Sequence, residues 1–289
     1  MRTRILNKMT NREVEDYLEQ SDLIFVPVGT IETHGGLPVD AETILAEAIC
    51  TLLAEQANGL LLTGLNYFYA GATMCGRATV QISTAAGAEY LGKLAGSLLR
   101  QGFRRQIYVT FHGPSVLTVG PMIRDFYERT KVPLLYLDGS HLALRWNGGE
   151  AIMKTNDDHT NLFLGAYKLM GQLDAVPLNV PESNSQHYSD DLFSAMAGST
   201  DFMRPIKARG VHSGSVGYYF GKPSEHGSTV PVRTAEEREA RADEGIRLIR
   251  QIVERMDIAE LADLLRQVDR FTQEEILARY GGWMSDPLY

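Results

Sequence analysis

The stretch from Leu23 to Ala48 constrains this chain more than any other. Leu23-Ile24-Phe25-Val26 is a continuous apolar run, the pattern of a strand buried on both faces of a parallel sheet. Pro27 and Gly29 end it. Glu32, His34, Asp40 and Glu42 then fall within eleven positions, and Thr43 to Cys50 follows with apolar residues at helical spacing. The polar cluster therefore sits on a strand-to-helix loop. In open α/β sheets such loops lie at the carboxyl edge of the strands, where active sites gather. Glutamate, histidine and a second carboxylate on one loop suit zinc or manganese. The competing reading is a polar loop entering a helix, with Asp40 as its cap and Glu42 in its first turn.

The rest of the chain continues the alternation of strand and helix. A helix is expected over 9–20, where Thr10 and Glu13 form a capping box. Helices follow at about 42–55, 86–102, 116–129, 162–170 and 234–256, the one over 116–129 broken early at Gly120-Pro121. Short apolar strands are expected at 59–63, 80–82, 106–110 and 133–137. This order predicts an α/β protein. His112 sits at the end of the 106–110 strand before a glycine, a position that suits a ligand. His141 reads as structural. Tyr67, Phe68 and Tyr69 read equally as a substrate wall or as packing. Residues 176–233 have no regular period.

At 289 residues the chain exceeds a typical single domain, and one large α/β domain is possible. A net charge of −8 argues against a nucleic-acid surface. No apolar run approaches membrane-spanning length, and the N-terminal residues lack a signal-peptide core, so no membrane partner is expected. Two cysteines, Cys50 and Cys75, make no disulfide framework, which fits a cytoplasmic protein.

The segment Gly29-Thr30-Ile31-Glu32-Thr33-His34-Gly35-Gly36-Leu37-Pro38 resembles the first motif of the creatininase (creatinine amidohydrolase) family, with one residue missing and the family's second histidine absent. Glu42-Thr43 then stands where the family has Asp-Thr. The resemblance implies that Glu42 is the bridging metal ligand, with Asp40 as the competing candidate. His112 falls on a metal-binding histidine of the family, and His159 on a histidine with a proton-transfer role, with Asp158 as its acidic neighbour. Pro114 and Leu164 occupy two places where relatives carry glutamates. Asp157, Asp158 and Glu225 are then replacement candidates on chemistry alone.

The resemblance covers roughly residues 10–256. It implies a three-layer α/β/α sandwich with a mainly parallel central sheet, and a homo-oligomer, often a hexamer. Residues 1–256 form one creatininase-like domain on this reading, and 257–289 a helical extension packed on it. The implied cofactor is a divalent metal, zinc first and manganese second, as one or two ions. Glu32, Glu42 and His112 hold the first, and His34 a second bridged by Glu42. Such a centre acidifies a water and polarises a carbonyl, and His159, held by Asp158, relays the proton to the leaving group. The expected function is hydrolysis of a small cyclic substrate, a cyclic amide first and an inositol-derived cyclic diketone second. A non-catalytic oligomeric binding protein on the same fold is the reading from another class. A nucleotide-binding protein ranks last, because no phosphate-cradling glycine loop is present.

Overall fold

The computed structural model describes residues 1–71, 78–144, 150–180 and 231–284. Four parallel strands form one sheet: β1 (Leu23–Pro27), β2 (Leu60–Leu61), β3 (Arg105–Thr110) and β4 (Leu135–Asp138), in the order β2-β1-β3-β4. Phe25 pairs with Ile107 and Leu61, and Val109 with Leu137. Parallel strands need crossovers, and helices supply them.

The strand period of two divides the core. Leu23, Phe25, Ile107 and Val109 face one apolar cluster, and Ile24, Val26 and Tyr108 face the other. Helices α1 (Asn11–Leu18), α3 (Thr84–Arg100) and α4 (Val116–Thr130) cover the second face through Tyr17, Leu91, Ala95, Met122 and Phe126. The first face carries α2 (Ala41–Gln56), α5 (Gly139–Leu144), α6 (Asn156–Leu169), α7 (Ala235–Met256) and α8 (Ile258–Phe271). Both faces are covered, so the expected three-layer α/β/α sandwich with a parallel sheet is what forms.

The expected capping box of Thr10 and Glu13 closes on α1, and the helix expected at 234–256 forms as α7, with Thr234 as its N-cap. Other expectations need correcting. Val80–Ile82 is no sheet strand: Val80 makes an isolated antiparallel bridge to Ile31. Helix α4 runs through Pro121 unbroken. Pro121 lies on the exposed side, where water can take the hydrogen bond that the ring cannot make. Helix α7 is followed by α8 and further helical turns to Met284. Cys75, Glu225 and most of the irregular 176–233 stretch lie outside the described residues.

Candidate metal centre

The strand order fixes where the site falls. From β1 the chain moves to β2 on one side, and later strands add on the other. The switch point is therefore the crevice between β1 and β3, at their carboxyl ends, where α/β proteins bind ligands. Glu32 and His34 stand on the loop after β1, Glu42 in the first turn of α2, and His112 two residues after β3. They are 1, 3, 8 and 2% exposed. Charged groups are almost never so deeply buried unless paired or ligating.

Local chemistry shapes this loop. The Thr43 hydroxyl donates to the Thr30 carbonyl at 2.9 Å, which ties the start of α2 back onto the loop. A Cβ at Gly29 would lie 2.2 Å from Thr43 Oγ1, so only glycine allows that approach. The Glu32 N–H donates to the Val39 carbonyl at 2.9 Å, and Gly35 turns the chain at φ 59°. The residues between Glu32 and Glu42 thus fold back and bring both carboxylates to one place.

Ligand atoms of Glu32, His34 and Glu42 all lie within 4.8 Å of one another. His112 joins through the carboxylates: its Nδ1 lies 3.1 Å from Glu32 Oε1 and contacts Glu42 Oε2. The Thr30 hydroxyl donates to Glu42 Oε2 at 2.9 Å. Burial pushes Glu42 up, but the His112 charge and hydrogen bond override it and hold the carboxyl below its ordinary range. Burial pushes His112 down, but Glu42 and then Glu32 hold the imidazole well above its ordinary value.

An aromatic clamp completes the site. The His34 and His159 rings stack at 5.7 Å between centroids. Phe163 meets both edge-on, at 4.7 Å from His34 and 4.9 Å from His159. Phe163 and His159 are one turn apart on α6, so they share a helix face. Burial pushes His159 down to about 4, so it is neutral at neutral pH.

The other candidates are used elsewhere. Asp158 Oδ2 accepts the Lys154 and Thr155 N–H groups, and with Thr155 it forms the capping box of α6. Among the described residues no hydrogen bond joins Asp158 to His159. Asp157 pairs with Arg241 at 3.0 Å. Asp40 occupies the N-cap position of α2, makes no capping bond, and accepts the Tyr167 hydroxyl. Leu164 is fully buried in the core, and Pro114 lies in a 3-10 turn after β3. His141 is exposed on α5. Sequence reasoning missed Thr30 and Phe163. The spacing of His159 and Phe163 was a usable signal, but within an apolar helix a phenylalanine reads as core.

The donor set fits a divalent ion. With His112 protonated, two buried carboxylates still leave one negative charge uncompensated. A divalent cation balances both carboxylates and lets both imidazoles be neutral, the form that ligates. Among the described residues, His112 Nε2, on the ring edge away from the carboxylates, is a buried nitrogen with no hydrogen-bond partner.

A parallel-sheet α/β/α protein with carboxylates and imidazoles gathered at its switch point is the class that fold and site define. The family model for creatininase (creatinine amidohydrolase) matches residues 7–256, and the chain belongs to this hydrolase family. A curated relative, the 3-dehydro-scyllo-inosose hydrolase of Thermotoga maritima, is 27% identical over 132 residues. That match spans 45% of this chain and 42% of the relative, so the chain matches less than half of the relative's length. A manganese creatininase structure is similar with a TM-score of 0.57 at 17% identity, over 92% of this chain and 98% of that one. A creatininase variant complexed with creatine is similar with a TM-score of 0.56 at 17% identity, over 93% and 99%. At these identities the structural likeness is one of fold.

Proposed function

We propose that this chain is a metal-dependent hydrolase that opens a small oxygenated carbocycle by cleaving the carbon–carbon bond of a cyclic diketone. The match to an inosose hydrolase, within a family otherwise described by an amide substrate, carries the choice of bond. This reverses the order expected from the sequence alone. The amide reading stays second, supported by the family's description and by the creatine-bound neighbour.

Glu32, His34, Glu42 and His112 would hold the ion, zinc or manganese by donor chemistry and manganese by the named neighbour. When bound, such an ion polarises a carbonyl and acidifies water. Thr30 orients Glu42 by its hydrogen bond. Phe163 and the stacked His34 keep the His159 ring in place. A neutral His159 accepts the proton of the attacking water and returns it to the carbon that leaves. Overall, water adds across the bond: one carbonyl carbon becomes a carboxylate, and the other end of the opened ring is released as an enolate that takes up a proton. An enolate leaves without prior protonation, unlike an amine, so the chemistry needs no second acid.

The test incubates metal-loaded protein with 3-dehydro-scyllo-inosose, simple cyclic 1,3-diketones and creatinine in parallel, in water enriched in oxygen-18. The expected result is a ring-opened keto acid carrying one labelled oxygen from a diketone. Turnover of creatinine alone would replace this reading with the amide one.

A further inference from the structure

We propose that Tyr167 is a positioning residue: by donating its hydroxyl to Asp40 it sets α6, and with it the His159 ring, against the turn of α2 that carries Glu42. Its effect on turnover rests on the hydrolase reading above; its placement of the ring does not. His159, Phe163 and Tyr167 stand four residues apart on α6, so they line one stripe of the helix. The first two meet the loop after β1 through ring contacts with His34, at 5.7 and 4.7 Å between centroids. Tyr167 meets the start of α2 through a hydrogen bond. Ring contacts change gradually as one helix slides on another, whereas a hydrogen bond weakens steeply with distance and angle. The bond therefore fixes where α6 rests along its axis.

Packing and capping do not account for this pair. Tyr167 is fully buried, where a phenylalanine would fill the same space without a polar group to satisfy. Asp40 stands at the N-cap position of α2, but its φ of −94° and ψ of 10° lie outside the extended conformation of capping residues, and its side chain makes no capping bond. A carboxylate acceptor strengthens the bond over a neutral one. Burial, and then Asp40, push the phenol further up, so it stays the donor. The Asp40 carbonyl accepts the Ile44 N–H at 2.9 Å, in the turn that holds Glu42. The bond thus runs from the helix of His159 to the turn of Glu42.

Nuclear magnetic resonance of the full chain, carbon-13 labelled at histidine Cε1 in zinc-containing buffer, tests this beside urea midpoints. The proteins are wild type, Tyr167→Phe, Asp40→Ala and Asp40→Asn, with His159→Phe to assign the His159 resonance. That resonance should move in Tyr167→Phe and in Asp40→Ala alike. Asp40→Asn, whose amide oxygen still accepts the hydroxyl, should keep the wild-type position. Should Tyr167→Phe fail to fold, Asp40→Ala removes the same bond from its other end. Lower midpoints with an unmoved His159 resonance would overturn the inference and leave the bond a structural one. With the substrate that wild type opens, Tyr167→Phe should lower kcat by about 10–100-fold with KM within about twofold. An unchanged kcat would also overturn it. Absence of turnover by wild type would sink the hydrolase reading, and the His159 resonance would still decide this one.

Discussion

Thr30 is a small residue with a large share in the site, because its hydroxyl is the neutral donor to Glu42. Thr30→Val keeps the shape and removes the bond. Outer ligand-shell partners of this kind are worth about 10–100-fold in metal affinity, so chelator competition should show a loss in that range with the fold intact. His159 gives a pH signature. Its proton affinity is depressed in the folded chain, to about 4 against about 6.5 unfolded. The unfolded state therefore binds more protons between these values. The stability contributed by the neutral ring is complete above about pH 6.5 and is lost as pH falls toward 4. Allowing for partial exposure, that loss is about 2 kcal/mol. Denaturant titrations at pH 7 and 4.5 should show wild type losing that much more than His159→Phe. Glu32, His34, Glu42 and His112 were legible in the sequence because ligand types recur at strand ends. The choice of Glu42 over Asp40 rested on register alone, and the structure gathers Glu42 with Glu32 and His34. The service of Asp158 to a helix cap was not legible. An acidic residue before a histidine looks the same whether it serves the ring or the backbone.

Helices α6 and α7 meet at a glycine seam. A Cβ at Gly245 would fall 1.7 Å from the Asn161 carbonyl oxygen, and one at Gly165 would fall 2.4 Å from the Gly245 backbone. Backbone meets backbone, so no side chain can move aside. Gly245→Ala should cost about 2–4 kcal/mol by forcing the helices apart, read as a lower urea midpoint with an unchanged slope. Because α6 carries His159 and Phe163, the same variant should weaken metal binding. The apolar period of both helices was legible, but their separation was not. A glycine within a helical pattern does not say whether it meets solvent or another backbone. The start of α6 was read too late, because its first turn is polar and its cap is Thr155.

At the scale of the whole molecule, two observations bear on assembly and stability. Ile258, Ala262 and Leu265 of α8 belong to the same core cluster as the sheet, and Arg104 of the chain before β3 pairs with Asp269. Removing residues 257–289 should expose that surface and produce aggregation, measured by light scattering after expression of the shortened chain. No helix among the described residues is long and apolar enough to cross a membrane.

The Asn179 N–H donates to the Val232 carbonyl at 2.7 Å, and Arg238 on the first turns of α7 reaches the Val176 carbonyl at 2.8 Å. Residues 176–179 are thereby fastened to residues 232–238. Closing a longer loop across a fixed gap costs little more than closing a short one, since the entropy grows with the logarithm of length. The ends at 176–179 and 232–238 are thus set by their own hydrogen bonds, and the entropy of closing the chain between them changes little with its length.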